Sequence, residues 1–176
     1  MRIKYPVKKK KSFKENIIHI LPMMFDNMMR YKAMVAGHPR MKNQLHRMRI
    51  SGKPIRYLME IMDSTFGKEF KNCLMDIKGL IELMGDIHDC DVFVTELNAY
   101  ITELRAYNRT KHKSYEKFNT SEISKLINEL KEKRNNAFHV LCQTFDKWDK
   151  ENIREKLINS MKSDKINEIN YFKTVS

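Results

Sequence analysis

Residues 45–57 read Leu45-His46-Arg47-Met48-Arg49-Ile50-Ser51-Gly52-Lys53-Pro54-Ile55-Arg56-Tyr57. With a helical rotation of ~100° per residue, Leu45, Met48, Ile55, Leu58, Met59 and Met62 share one arc, the signature of an amphipathic helix facing a core. His46, Arg49, Lys53 and Arg56 fall within an adjoining arc of ~80°. The cations therefore border the buried face rather than oppose it. A solvated cationic face normally lies across from the core, whereas a row at the boundary lines a groove or a neighbouring helix's shoulder. The row spans ~15 Å at the usual helical rise, so a long repeating anion can bridge several of its groups. The competing reading is a basic face paired to nearby acids. Only Glu60 and Asp63 are near in sequence, and residues 27–59 contain no Asp or Glu. A positive stretch of that length repels itself unless an anion joins it, which favours an anion-binding groove. Pro54 and Gly52 predict a bend or short break, and a break at Pro54 would rotate Arg56 out of the row.

The elements on either side are also helical. Ser12-Phe13-Lys14-Glu15 has the capping-box pattern, opening a first helix that is expected to reach about Val35 and stop at Gly37. Pro22 is expected to kink or interrupt it. The second helix runs from about Pro39 to Phe66, ended by Gly67. A third spans about Lys68–Met84, Gly85 marks a change of direction, and a fourth covers about His88–Tyr107. Residues 108–119 read as a loop. Thr120 or Ser121 caps a fifth helix to about Lys147, with Ile123, Leu126, Ile127, Leu130, Ala137, Phe138, Leu141 and Phe145 apolar. A short sixth covers about 150–162. The fold class is all-α, an antiparallel bundle of about five to six helices. Its domain is placed at residues 12–162, between a basic flexible tail (1–11) and a C-terminal tail (163–176). The thirteen methionines are read as core filler.

The chain has 176 residues, 41% hydrophobic and 32% charged, which excludes a disordered or collagen-like chain. Five glycines and four prolines are too few for a turn-rich β fold. The net charge of +12 lies entirely in residues 1–60, with fifteen Lys/Arg against three Asp/Glu. An anionic partner meeting that third is the expectation. Cys73, Cys90 and Cys142 are odd in number, widely spaced and without a CxxC, and read as buried reduced thiols. No apolar segment follows the first charges and no run is long enough to span a membrane, so the protein is expected to be cytoplasmic.

A second constellation, Lys78 to Val92, combines acids with an imidazole. Asp86, His88, Asp89 and Asp91 are candidate metal ligands. The structural alternative has Asp89 capping a helix or holding a guanidinium of the second helix. His46 and His88 are expected to be satisfied by local hydrogen bonds.

Together the two segments resemble the CHAD family, the conserved histidine α-helical domain. The first signature is carried by His46, Arg49, Ile50, Lys53, Pro54, Ile55, Arg56 and Tyr57. The second is carried by Ile77, Lys78, Leu80, Ile81, Met84, Gly85, Asp89 and Val92. Pro54 stands where the family pattern has a basic residue, and Ile81 where it has a polar one. Members of that family typically contain two related helical halves around a basic pore, and this chain resembles the N-terminal half over roughly residues 12–162.

The resemblance implies binding of inorganic polyphosphate without catalysis or cofactor, with association at polyphosphate granules in some members. Carried over residue by residue, His46, Arg49, Lys53, Arg56 and Lys78 are the anion-contacting candidates, and Gly85 and Asp89 are architectural. Arg30, Lys32, Arg40 and Lys42 are added from charge alone. Binding is expected to strengthen below pH ~6.5 as His46 protonates. A homodimer that pairs two halves is a further expectation, with nucleic acid bound only non-specifically and no membrane partner. Two other classes compete. An HD-type metal-dependent phosphohydrolase would use His46, His88-Asp89 and Asp146 or Asp149. A helical nucleic-acid-binding module would use the Lys8–Lys11 run and the net charge.

Overall fold

The computed structural model describes residues 5–110 and 117–162. Six helices follow in order: α1 (Phe13–Met29), α2 (Lys32–Val35), α3 (Lys42–Met62), α4 (Lys68–Thr110), α5 (Ser121–Glu151) and α6 (Ile153–Ser160), with no strand among the described residues. The all-α bundle is as expected. Residues 163–176, expected as a tail, lie outside the described residues.

The start of α1 follows the capping box: Ser12 Oγ accepts from the Glu15 amide at 3.2 Å, and the Glu15 carboxylate accepts from the Ser12 amide at 2.9 Å. Ahead of it, buried Asn16 accepts from the Lys8 amide at 2.8 Å and donates to the Lys8 carbonyl at 3.1 Å. The lysine run is thus wound as a turn against α1, and Tyr5 packs at the core's edge.

The first helix ends earlier than expected, at Met29, and α2 adds a single turn before Gly37. Neither proline interrupts its helix. Pro22 lies inside α1 and Pro54 inside α3. An interior proline costs roughly 3 kcal/mol through a lost hydrogen bond and a ring clash. Here each is flanked by buried anchors, Leu21 and Met24 in α1, Ile55 and Met59 in α3, whose packing outweighs that cost. Gly52 belongs to the same packing: a Cβ there would sit 2.8 Å from Met28 Sδ and 3.0 Å from Ile81 Cγ1. Side chains of both α1 and α4 press on α3 there.

The largest departure is α4. Gly85 was expected to turn the chain, yet one helix of 43 residues runs straight through it. Glycine disfavours a helix by about 1 kcal/mol against alanine but does not end one when both sides are anchored. Ile81, Met84 and Ile87 are buried on either side. At the other end α5 closes at Asn152, whose φ of 48° is left-handed, a conformation asparagine tolerates.

Helix α3 packs between α1 and α4, and α4 also packs against α5 and α6. Leu21, Met28, Met48, Ile55, Met59, Phe70, Ile77, Leu80, Met84, Leu141 and Phe145 form the sealed centre. Met24, Met28, Met48, Met59, Met62, Met84 and Met161 are core filler, while Met23, Met34, Met41 and Met75 are exposed.

Candidate functional site

The tight connection from α3 to α4 makes them antiparallel neighbours. Arg56 faces Glu82, Arg49 faces Gly85, His46 faces His88 and Lys42 faces Asp91. His46, Arg49, Lys53 and Arg56 are all half-buried, between the buried line Leu45, Met48, Ile55, Met59 and the exposed line Arg47, Ile50, Tyr57. Because α3 passes unbroken through Pro54, Arg56 stays on the row.

A groove of about 210 Å³ opens between the two helices, lined by Arg49, Lys53, Arg56 and Tyr57 from α3 and by Ile81, Glu82, Gly85, Asp86 and Asp89 from α4. The acid-free stretch is therefore not acid-free in space. Helix α4 brings three carboxylates to three cations. Arg56 Nε donates to Glu60 at 2.8 Å and its Nη1 to Glu82 at 3.3 Å. Both contacts hold its guanidinium further into the charged form, the Glu60 hydrogen bond most of all. Arg49 is different. Its guanidinium lies against Gly85, where a Cβ would be 3.3 Å from Nε. That Nε is buried without a hydrogen-bond partner. A buried donor left unmade costs about 1–3 kcal/mol, so the position is held at the expense of stability. Lys53 makes no ion pair with a described residue.

Asp89 lines this groove but is exposed, and it bonds neither Arg49 nor another described group. Nor does it cap a helix, because α4 runs continuously past it. Lys78 is half-buried on α4, one turn before Glu82, and stands outside the groove's lining. Arg30 stacks on Tyr31 at 4.7 Å and donates to its hydroxyl at 2.7 Å. Lys32 is paired with Asp149. Neither joins the row.

Beyond the groove the His46 and His88 rings meet, centroids 4.5 Å apart. They share a cavity of about 380 Å³ with Lys42, Asn43, Asp91, Val92, Thr95 and Glu96. His46 Nδ1 is buried with no hydrogen-bond partner, contrary to the expected local bond. Burial, then His88, Arg49 and Lys53, push its pKa below 6.5. Protonation of the free protein's His46 is therefore shifted to lower pH than the sequence suggested.

A third cavity, about 610 Å³, lies where the start of α3 meets α4 and α5. Pro39, Arg40, Lys42, Asp91, Val94, Lys131, Arg134 and Asn135 line it. Asp91 is its only carboxylate, bound by Lys42 at 2.8 Å and by Arg134 Nε at 3.3 Å. Arg134 is 8% exposed and also donates to the Pro39 carbonyl. Arg134 is not among the sequence's candidate residues, and Asp91, a candidate metal ligand by sequence, is instead the counter-ion of two cations. One signal was present: Arg134 interrupts the apolar stripe Ile127, Leu130, Phe138, Leu141 at a core position.

Of the proposed HD-type constellation, only His46 and His88 come together. Asp149 is engaged by Lys32, and among the described residues no group of three or more His, Cys, Asp or Glu is placed to hold a metal.

The model of the CHAD domain family matches residues 9–98. The chain belongs to the CHAD family. The match spans α1, α2, α3 and α4 as far as Asn98, so it contains both signatures and the groove. Arg134 and Lys131 lie beyond it. CHAD domains are associated with polyphosphate binding. No curated protein and no solved structure matches the chain. Among the described residues no helix is long and apolar enough to cross a membrane.

Proposed function

We propose that this CHAD protein binds inorganic polyphosphate along the α3 row, without catalysis. The observation that carries the reading is Arg49: a half-buried guanidinium in an open groove, its Nε buried without a partner, beside an unpaired Lys53. A phosphate oxygen in the groove meets the guanidinium fork, and a turn of the guanidinium toward it relieves the unmade Nε bond. Arginine grips the phosphate with a fork of donors and lysine adds a point charge. Arg56 joins by exchanging Glu82 for phosphate, and Lys78 extends the line by one turn of α4. Attraction comes mainly from ion pairs and counterion release, so affinity falls steeply with salt. The carboxylates of Glu82, Asp86 and Asp89 repel a polyanion and keep the groove's affinity moderate. On this reading the protein acts in the cytoplasm, at polyphosphate granules where these form. Two copies would pair beside the row, a reading supported by the exposed apolar line Ile50, Tyr57 and Ile61 on α3.

The test is a titration with long-chain polyphosphate at two salt concentrations, with orthophosphate and single-stranded RNA as controls. Arg49→Ala is expected to weaken polyphosphate about tenfold, as loss of a charge-assisted contact worth roughly 1.5–3 kcal/mol implies. Equal affinity for RNA, with an equal loss in Arg49→Ala, would favour the nucleic-acid reading instead. Release of orthophosphate on incubation with polyphosphate would refute the non-catalytic part.

A further inference from the structure

We infer that the cavity at the junction of α3, α4 and α5 is a second anion subsite, taking a phosphate group of the same polymer between Arg40, Lys42, Lys131 and Arg134. The inference rests on the polyphosphate reading and extends it to residues outside the family match.

Charge is the first ground. Four cations and one carboxylate line this cavity, leaving three positive charges without a counter-charge. The α3–α4 groove has three of each. Arg40 and Lys131 are exposed and make no ion pair with a described residue. Asp91 serves two cations at once, so it cannot neutralise both.

Construction is the second. Arg134 is more than nine-tenths buried, an expensive place for a guanidinium unless it is paired and hydrogen-bonded. Asp91 and the Pro39 carbonyl hold its Nε and Nη2, which fixes the plane of the fork. Nη1 makes no hydrogen bond to a described residue and remains for a ligand. A fork fixed in advance loses little entropy when an anion arrives.

Continuity is the third. Lys42 and Asp91 line both this cavity and the one holding His46 and His88. Lys42, His46, Arg49, Lys53 and Arg56 follow one stripe of α3, whose span from Lys42 to Arg56 is ~21 Å at the helical rise. A long phosphate chain can lie along that stripe and end against α5. A tripolyphosphate in the groove cannot reach it.

The experiment compares wild type, Arg40→Ala/Lys131→Ala and Arg49→Ala/Lys53→Ala in titrations with long-chain polyphosphate and with tripolyphosphate. Both Arg40 and Lys131 are exposed, so their removal leaves the fold intact. The first variant is expected to lose about tenfold for the long chain, with a shallower salt dependence by roughly 0.7 per lost contact, and to bind tripolyphosphate as wild type does. The groove variant is expected to weaken both ligands. Unchanged long-chain affinity in Arg40→Ala/Lys131→Ala, with the groove variant still impaired, would overturn the subsite and leave the polyphosphate reading standing. Absence of polyphosphate binding by wild type would overturn both.

Discussion

The α3–α4 groove and the α3–α5 cavity draw on the same helix but differ in charge: the first is balanced, the second carries an excess of cations. In the groove the row is met by Glu82, Asp86 and Asp89, and one of its arginines is already engaged by acids. In the cavity Asp91 is the one carboxylate beside four cations, of which it binds Lys42 and the buried Arg134. The groove carries both family signatures, while half of the cavity's cations come from α5, outside the matched residues. Counting charge along the chain therefore identifies cations but not their availability. Availability depends on what the facing helix contributes.

The comparison is broken most forcefully at Asp91. Asp91→Asn leaves Arg134 buried without its counter-charge, and removing one partner of a buried pair costs about 3–5 kcal/mol. Urea unfolding of Asp91→Asn is expected to show a loss near the lower figure, since the pair's side chains retain 12% and 9% exposure. Glu82→Gln, which removes an exposed pair with Arg56, is expected to change stability by no more than about 0.5 kcal/mol. Similar losses in the two variants would mean that the cavity is no more built than the groove.

Two glycines of the α3–α4 seam sharpen the contrast at the next level. In Gly52→Ala the new Cβ meets Met28 and Ile81 in the sealed core. Overpacking there costs about 1–3 kcal/mol and the better helix former returns up to about 1, for a net loss of about 1–2. In Gly85→Ala the three atoms nearest the new Cβ all belong to the Arg49 guanidinium, a flexible side-chain end. Stability is expected to hold or rise slightly, by calorimetry, while polyphosphate affinity falls several-fold because Arg49 is displaced. Unchanged affinity in Gly85→Ala would remove the reason given for a glycine at that position.

Much of this is legible in the sequence. The capping box at Ser12 and Glu15 is local chemistry, satisfied within four residues. The position of His46, Arg49, Lys53 and Arg56 beside the core follows from helical period alone. The facing of His46 and His88 was not legible from either segment separately, because it depends on an antiparallel register set by the short α3–α4 connection. Gly85 misled for a related reason. A glycine serving close approach looks, in one dimension, like a glycine serving a turn. Glu82, Asp86 and Asp89 were visible as acids but not as the row's neighbours, and Arg134 was hidden by a periodicity that counts only apolar residues.

Removing acids from the groove tests whether they set the difference. In Asp86→Asn/Asp89→Asn the groove becomes net positive, like the cavity. Affinity for tripolyphosphate, which occupies the groove alone, is expected to rise a few-fold at low salt and to return toward wild type as salt screens the change. An unchanged affinity at low salt would show that the two carboxylates are solvated away from the ligand and that the groove's balance of charge is nominal.

The smallest effect concerns His46, at the meeting point of the two regions. Burial and the neighbouring His88, Arg49 and Lys53 hold its pKa below the unfolded 6.5. Between 6.5 and that lower value the unfolded chain binds a proton that the folded protein does not, so stability falls as pH drops through this window. Above 6.5 both states are neutral and the penalty vanishes. Urea midpoints measured at pH 7.5 and 5.5 are expected to fall slightly more in wild type than in His46→Gln. Bound polyphosphate reverses the sign at this one residue, because an anion beside His46 favours the imidazolium. Affinity is then expected to rise as pH falls through the same window in wild type and less steeply in His46→Gln. A pH dependence of affinity identical in the two proteins would place the polymer away from the histidine pair, and would cut the track between groove and cavity at its midpoint.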